Sequence, residues 1–264
     1  MIIDGKAIAD SILAHLTDEV AVLKSHGITP SMAVIQIGDN PASLAYIRQK
    51  QKAAERIGAK LVVSHQSSDI STNEFITLIE KYNNDPNIHG VIVQRPLPQP
   101  VGEYHVTIKK DVDGFEDHSP FDVPVAIAVE MILKSIHADF TKKIVIIGRG
   151  STAGAPILHY FDKLHCTTSQ IHSKTENAAT ILKSADIIIS CVGKSNVVTS
   201  DTIKPGVILV SVGIWRDEAG KLHGDYEPDD IADKASWYTP TPGGVGPVNV
   251  ACLMQNLVKA CSMK

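Results

Sequence analysis

The chain has 264 residues, enough for one large domain or two modest ones, and its 44% apolar and 20% charged content is that of a globular protein with a good core. A net charge of −4 gives no basic footprint, which argues against nucleic acid or an anionic membrane as partner. No apolar run of about 18 residues could span a bilayer, and the N-terminal MIIDGKAIADSIL lacks the basic and apolar regions of a signal peptide.

Residues 5–26 read as a helix, with Ile8, Ile12, Leu13, Leu16, Val20 and Leu23 in a stripe that Gly27 stops. Residues 31–38 read as a buried strand. Residues 39–52 (DNPASLAYIRQKQK) then open a helix to about residue 58, with Asp39 or Asn40 as cap and Pro41 at a first helical position. Ser43, Tyr46 and Lys50 fall at i, i+3 and i+7, so a hydroxyl, a phenol and an ammonium share one face. That composition suits neither core nor ordinary surface. Tyr offers an aromatic plane with a polar tip, and Lys acts as acid or base once partial burial lowers its pKa. The plainer alternative is a packed Tyr beside a snorkelling Lys.

A strand at 61–64, a helix at about 72–82 and an unalternating apolar strand at 90–94 complete a pattern that predicts βαβ units and a parallel sheet. Gln94 stands at the carboxyl end of that third strand, before Arg95-Pro96-Leu97-Pro98, where open α/β sheets place ligand crevices. Lys110-Asp111-Val112-Asp113-Gly114 reads as a tight turn presenting a carboxylate, with a solvated turn as the alternative.

A linking helix at 124–135 precedes strands at 143–148, 167–172, 186–193 and 206–213, with helices after the first two. This is a doubly wound domain of nucleotide-binding type. The glycines Gly148-x-Gly150-x-x-x-Gly154 follow a strand and open a helix, one residue longer than the dinucleotide fingerprint. No acid closes the second strand, where His172-Ser173-Lys174-Thr175 stands; Arg149 and Ser173 suit a 2′-phosphate, so NADP is expected rather than NAD. Thr239-Pro240-Thr241-Pro242-Gly243-Gly244-Val245-Gly246-Pro247 is a rigid close-approach loop, either a ligand wall or a hinge, followed by a helix from about residue 250 to 261. Cys166, Cys191, Cys252 and Cys261 form no CxxC pair, and the eleven histidines show no metal-ligand spacing. A reduced cytoplasmic protein without a metal is expected.

SLAYIRQKQKAAERIG, GVIVQRPLP, KKDVDGF, IIGRGSTAGAP, HSKT, ADIIISCVG and TPTPGGVGP occur in one order over nearly the whole chain. Together they resemble the bifunctional methylenetetrahydrofolate dehydrogenase/methenyltetrahydrofolate cyclohydrolase (FolD) family. The resemblance implies NADP-dependent oxidation of 5,10-methylenetetrahydrofolate, hydrolysis of the methenyl product to 10-formyltetrahydrofolate, and a homodimer. It implies an α/β chain whose folate domain covers residues 1–120 and regains a C-terminal helix at 248–264, with a Rossmann-like NADP domain at 121–247 and the active site in the cleft. By the same resemblance Tyr46 stacks on folate and Lys50 is the general acid/base of hydrolysis. Gln94 holds Lys50, Asp113 bonds the pterin, and Ser43 with Pro242, Gly243 and Gly244 line the folate site. Gly148, Arg149, Gly150, Ser151, Gly154, Ser173, Thr175, Val192, Gly193, Gly213 and Ile214 are the implied cofactor contacts.

Three single residues and one four-residue stretch depart from the family pattern. Gly150 replaces a Ser, Val123-Pro124-Val125-Ala126 replaces Pro-Cys-Thr-Pro, Ser211 replaces an Asp, and Asn249 replaces a Thr. These losses point to one rival reading, a cyclohydrolase with weak or absent dehydrogenase activity. A non-catalytic dinucleotide-binding module is the other, and it leaves the Tyr46, Lys50, Gln94 and Asp113 set without a purpose.

Overall fold

The computed structural model describes residues 1–98 and 101–263. In chain order it forms α1 (Gly5–Ser25), β1 (Ser31–Ile37), α2 (Pro41–Ile57), β2 (Lys60–Gln66), α3 (Thr72–Asn84), β3 (Gly90–Val93) and α4 (Pro124–Ser135). Then follow β4 (Ile144–Ile147), α5 (Gly154–Lys163), β5 (Thr168–Ile171), α6 (Ala178–Ser184), β6 (Ile187–Ser190) and β7 (Val207–Ser211). A small hairpin of β8 (Trp215–Arg216) and β9 (Leu222–His223), α7 (Pro228–Ile231), β10 (Ala235–Tyr238) and α8 (Val245–Ala260) close the chain. The class is α/β, with two compact units: Asp10–Pro124 with Val250–Lys264, and Met1–Ala9 with Val125–Asn249.

The first unit is built on a parallel sheet of order β2-β1-β3. Ala33, Ile35 and Ile37 of β1 and Val91 and Val93 of β3 pack with Phe75, Ile79 and Tyr82 of α3. Strand alternation turns Met32, Val34 and Gln36 to the opposite face. All seven residues of β1 are buried, as a central strand covered on both faces should be. A reciprocal capping box between Ser71 and Glu74 starts α3. α8 rejoins this unit beside β3, where a Cβ on Gly90 would press on Leu257 and Val112. It begins at Val245, earlier than residue 250, because Pro247 sits in its first turn, where a missing N–H breaks no bond.

The second unit carries a five-stranded parallel sheet of order β10-β7-β6-β4-β5, with the strand order turning between β4 and β6. Its core joins Val145, Ile188, Leu209 and Tyr238. β10 was not legible in the sequence, and the first nine residues lie here rather than with the unit that follows them. The reason is an unpaired edge: Ile3 N donates to Tyr238 O and Tyr238 N to Met1 O, each at 2.9 Å, while the terminal amino group reaches Ser236 O at 2.6 Å.

Candidate active site

α2 owes its place to a short set of local signals. Asn40, not Asp39, is the N-cap: its side chain accepts from Ala42 N and Ser43 N, Pro41 occupies the first turn, and Gly58 ends the helix with φ of 76°. Ser43, Tyr46 and Lys50 share one face of the helix, and Ser43 and Lys50 reach the residues that follow β3. Lys50 Nζ donates to Gln94 Oε1 at 3.0 Å, and Ser43 Oγ donates to Arg95 O at 3.3 Å. Gln94 is oriented in turn by its own Nε2, which donates to Arg95 O at 2.9 Å. Three sequence-predicted residues, Ser43, Lys50 and Gln94, are thereby brought to one place.

The turn after β3 separates the two acids that the sequence left equivalent. Asp111 is the structural one: its carboxylate accepts from Gly114 N at 3.1 Å and Glu116 N at 2.8 Å. Gly114 has φ of 71°, and a Cβ there would press on Phe121 O. Asn256, buried on α8, donates to Val112 O at 2.9 Å and Asp122 O at 3.0 Å, clamping the turn from behind. Asp113 is left half-buried in electrostatic reach of Lys50 and Arg95.

Burial dominates the titration of both partners. Desolvation holds the Lys50 ammonium below the usual lysine range, with Asp113 pulling it back up. Desolvation raises the Asp113 carboxyl above its ordinary value, against the pull of Lys50 and Arg95. A lysine so placed exchanges protons nearer neutrality than an exposed one. A cavity of about 790 Å³ opens beside Asp113, walled by Val93, Arg95, Tyr104 and Phe115; Ser43, Tyr46, Lys50 and Gln94 do not line it. Arg95 stands 5.3 Å over the Phe115 ring. Sequence reasoning passed over Arg95, although its place directly after Gln94 was a usable signal.

In the second unit the glycine turn lies at the carboxyl ends of β4 and β6, the place where doubly wound sheets bind dinucleotides. Gly148 has φ of 101°, and a Cβ there would press on Cys191 O. One on Gly154 would overlap Gly148 O. At Gly150 a Cβ meets nothing within 4 Å. Ala153 caps α5 without a side-chain hydrogen bond. Ala155 N donates to Gly150 O, Ile157 N donates to Ala153 O and Pro156 has no N–H, so Gly154 N is the first-turn amide left for an anion. Arg149, Ser151 and Ser173 are exposed. Thr175 instead closes the turn after β5, accepting from His172 N at 2.9 Å. This chemistry fits a dinucleotide.

Val192, Gly193 and Gly213 are organised by a residue that no local sequence signal singles out. Asp225 is fully buried and accepts from Ser190 Oγ (2.6 Å), Val192 N (2.9 Å), Gly193 N (2.7 Å) and Lys194 N (3.0 Å). Ser211 accepts from Asp225 N at 2.8 Å and donates to Gly213 O at 3.1 Å, so its single hydroxyl hydrogen is used. Gly243 has φ of 102°, and a Cβ on Gly5 would overlap Gly244 O, so the Pro242, Gly243 and Gly244 loop packs on the start of α1. Among the described residues no group of His, Cys, Asp and Glu could hold a metal, and no helix is long and apolar enough to cross a membrane.

Residues 3–113 match the family model for the tetrahydrofolate dehydrogenase/cyclohydrolase catalytic domain, and residues 124–264 match its NAD(P)-binding domain. The bifunctional protein FolD of Geobacillus thermodenitrificans is 40% identical over 273 residues, covering 98% of this chain and 96% of that one. The crystal structure of the bifunctional FolD from Campylobacter jejuni superposes with a TM-score of 0.92 at 37% identity, over 99% of this chain and 98% of the other. That of the Trypanosoma brucei enzyme, complexed with NADP cofactor and inhibitor, gives a TM-score of 0.92 at 28% identity, over 99% and 97%.

Proposed function

The chain belongs to the tetrahydrofolate dehydrogenase/cyclohydrolase family, and on that premise we propose that it performs both reactions of a bifunctional FolD enzyme. It oxidises 5,10-methylenetetrahydrofolate to 5,10-methenyltetrahydrofolate with NADP, then hydrolyses that cation to 10-formyltetrahydrofolate. The observation that carries the reading is the half-buried Lys50 held on Gln94, with its pKa lowered by burial.

Lys50 is the general acid/base. As the neutral amine it takes a proton from the water that adds to the methenyl carbon. As the ammonium it returns that proton to N5 when the carbon–N5 bond breaks; the hydroxyl on that carbon releases its own proton to solvent and becomes the C=O of the formyl group left on N10. Gln94 fixes the direction of the amine, Tyr46 stacks on the folate, and Asp113 bonds the pterin. Ser43, Pro242, Gly243 and Gly244 complete the folate contacts. When bound, NADP supplies the acceptor for the hydride of the methylene carbon. Gly148, Ser151 and Gly154, with the Gly154 amide, receive its pyrophosphate, Arg149, Gly150, Ser173 and Thr175 its 2′-phosphate side, and Val192, Gly193, Gly213 and Ile214 the remainder. The family likeness supports a homodimer, and four cysteines outside any disulfide support a reducing, cytoplasmic setting.

The second reading, a cyclohydrolase with weak dehydrogenase activity, is favoured by Gly150, which supplies no hydroxyl, and by Val125 at the start of α4. Paired kinetics on the purified protein separate the two. Methylenetetrahydrofolate is offered with NADP or with NAD while cofactor reduction and methenyl absorbance are followed. Robust NADP reduction with rapid methenyl decay supports the bifunctional reading; methenyl decay without reduction supports the second; neither activity refutes both.

A further inference from the structure

The buried amide of Gln36 has no part in either reaction as assigned above. Its Nε2 donates to Ile37 O at 3.0 Å and Gly38 O at 2.8 Å, while Oε1 is buried with no hydrogen-bond partner. Two carbonyls facing Nε2 settle which end of the amide is oxygen. A wholly buried acceptor left without a donor is costly, and native proteins keep few of them.

The strand register places this oxygen's residue. Ile35 of β1 pairs with Val93 of β3, and Gln94 N donates to Ile35 O at 2.9 Å, so Gln36 and Gln94 are lateral neighbours on strands about 4.8 Å apart. Ala33, Ile35, Ile37, Val91 and Val93 all enter the α3 core, so Gln36 and Gln94 leave from the opposite face. That is the face Lys50 reaches from α2. The charged group that acts on Lys50 is Asp113, on the turn after β3, and Arg95 acts in turn on Asp113. On the β2 side, His65 Nε2 lies 3.0 Å from Gly38 O and 3.2 Å from Asp39. An ammonium has three donors, and Gln94 takes one.

We infer that Gln36 is a positioning residue of the hydrolytic step: its Nε2 braces the turn from β1 into α2, and its Oε1 accepts a hydrogen bond from the ammonium that Lys50 becomes. The inference rests on Lys50 being the general acid/base. Loss of the acceptor then disfavours the ammonium, a consequence that loss of a mere brace does not have.

The test is the pH profile of methenyl hydrolysis by the full-length protein and its Gln36→Met variant, with Lys50→Met as control. The rising limb of Gln36→Met is expected about one pH unit lower than in the unaltered protein, the size of a lost hydrogen bond to a charged group. An unshifted limb in a variant of unchanged melting temperature overturns the inference. If Gln36→Met does not fold, a crystal structure of the unaltered protein below its limb decides. Oε1 within hydrogen-bond distance of Lys50 Nζ supports the inference, and Oε1 still without that contact overturns it. Normal hydrolysis by Lys50→Met removes the underlying reading instead, which keeps the two failures apart.

Discussion

Replacing Asp225 by Asn leaves size and shape almost unchanged but converts one carboxylate oxygen into a donor. In the structure Oδ2 accepts from Ser190 Oγ and Val192 N, and Oδ1 from Gly193 N and Lys194 N. Whichever way the new amide turns, its NH2 group faces an amide N–H. The less damaging orientation points it at Ser190, whose hydroxyl can reverse and accept, and sacrifices the bond to Val192 N. Losing that bond and the charge that strengthens the others costs about 3 kcal/mol, since hydrogen bonds to charged groups contribute about 1.5–3 kcal/mol each. For a unit of this size that lowers the melting temperature by about 6–12 °C. If the loop moves to relieve the clash, Val192 and Gly193 lose their places, and kcat/KM for NADP falls by up to about two orders of magnitude, the kinetic equivalent of the same energy. Methenyl hydrolysis depends on Lys50 in the other unit and stays within about twofold at low temperature. Thermal melts and the two activity assays on one preparation test this. A melting temperature within about 2 °C of the parent, with unchanged NADP kinetics, refutes the reasoning.

At Gly150, Gly150→Ser adds a hydroxyl where a Cβ meets nothing. KM for NADP is expected to fall by about tenfold, the effect of one hydrogen bond to a charged oxygen, while KM for NAD stays put; an unchanged NADP value refutes it. Asp113→Asn removes the charge that raises the Lys50 pKa and weakens pterin binding, so both activities drop and the hydrolytic limb moves to lower pH. Retention of full dehydrogenase turnover would reduce Asp113 to a turn residue. Because burial lowers the folded-state pKa of Lys50, the unfolded chain binds the extra proton between that value and 10.5. Lys50 therefore costs stability at neutral pH, and the cost fades as pH rises through that window. Lys50→Met is expected to melt higher than the parent at pH 7, with the gap closing towards pH 10; a gap that widens with pH contradicts this sign.

Much of the fold was legible because its elements carry their own signals. The seven buried residues of β1 need no partner information to read as a covered strand, and Asn40, Pro41 and Gly58 punctuate α2 at both ends. The Ser43, Tyr46 and Lys50 face followed from helical periodicity alone. β10 was missed because four residues with a bulged register give no periodicity, and its pairing with the first residues of the chain is a contact across the whole sequence. The start of α8 was misplaced because glycine and proline density reads as loop, although proline is welcome in a first helical turn. Nothing local distinguishes Asp111 from Asp113; only the fold shows that Asp111 spends its oxygens on the turn. Asp225 and Gln36 were invisible for the same reason: their importance lies in which distant amides they meet, or fail to meet.

The most direct test is the Lys50→Met variant, assayed for methenyl hydrolysis and for NADP reduction with methylenetetrahydrofolate in the same preparation. Hydrolysis is expected to disappear while folate affinity and hydride transfer persist, because only the hydrolytic step needs a proton carrier at that position. Hydrolysis at the parent rate would contradict the assignment of Lys50 and leave the Lys50–Gln94 pair as a structural contact.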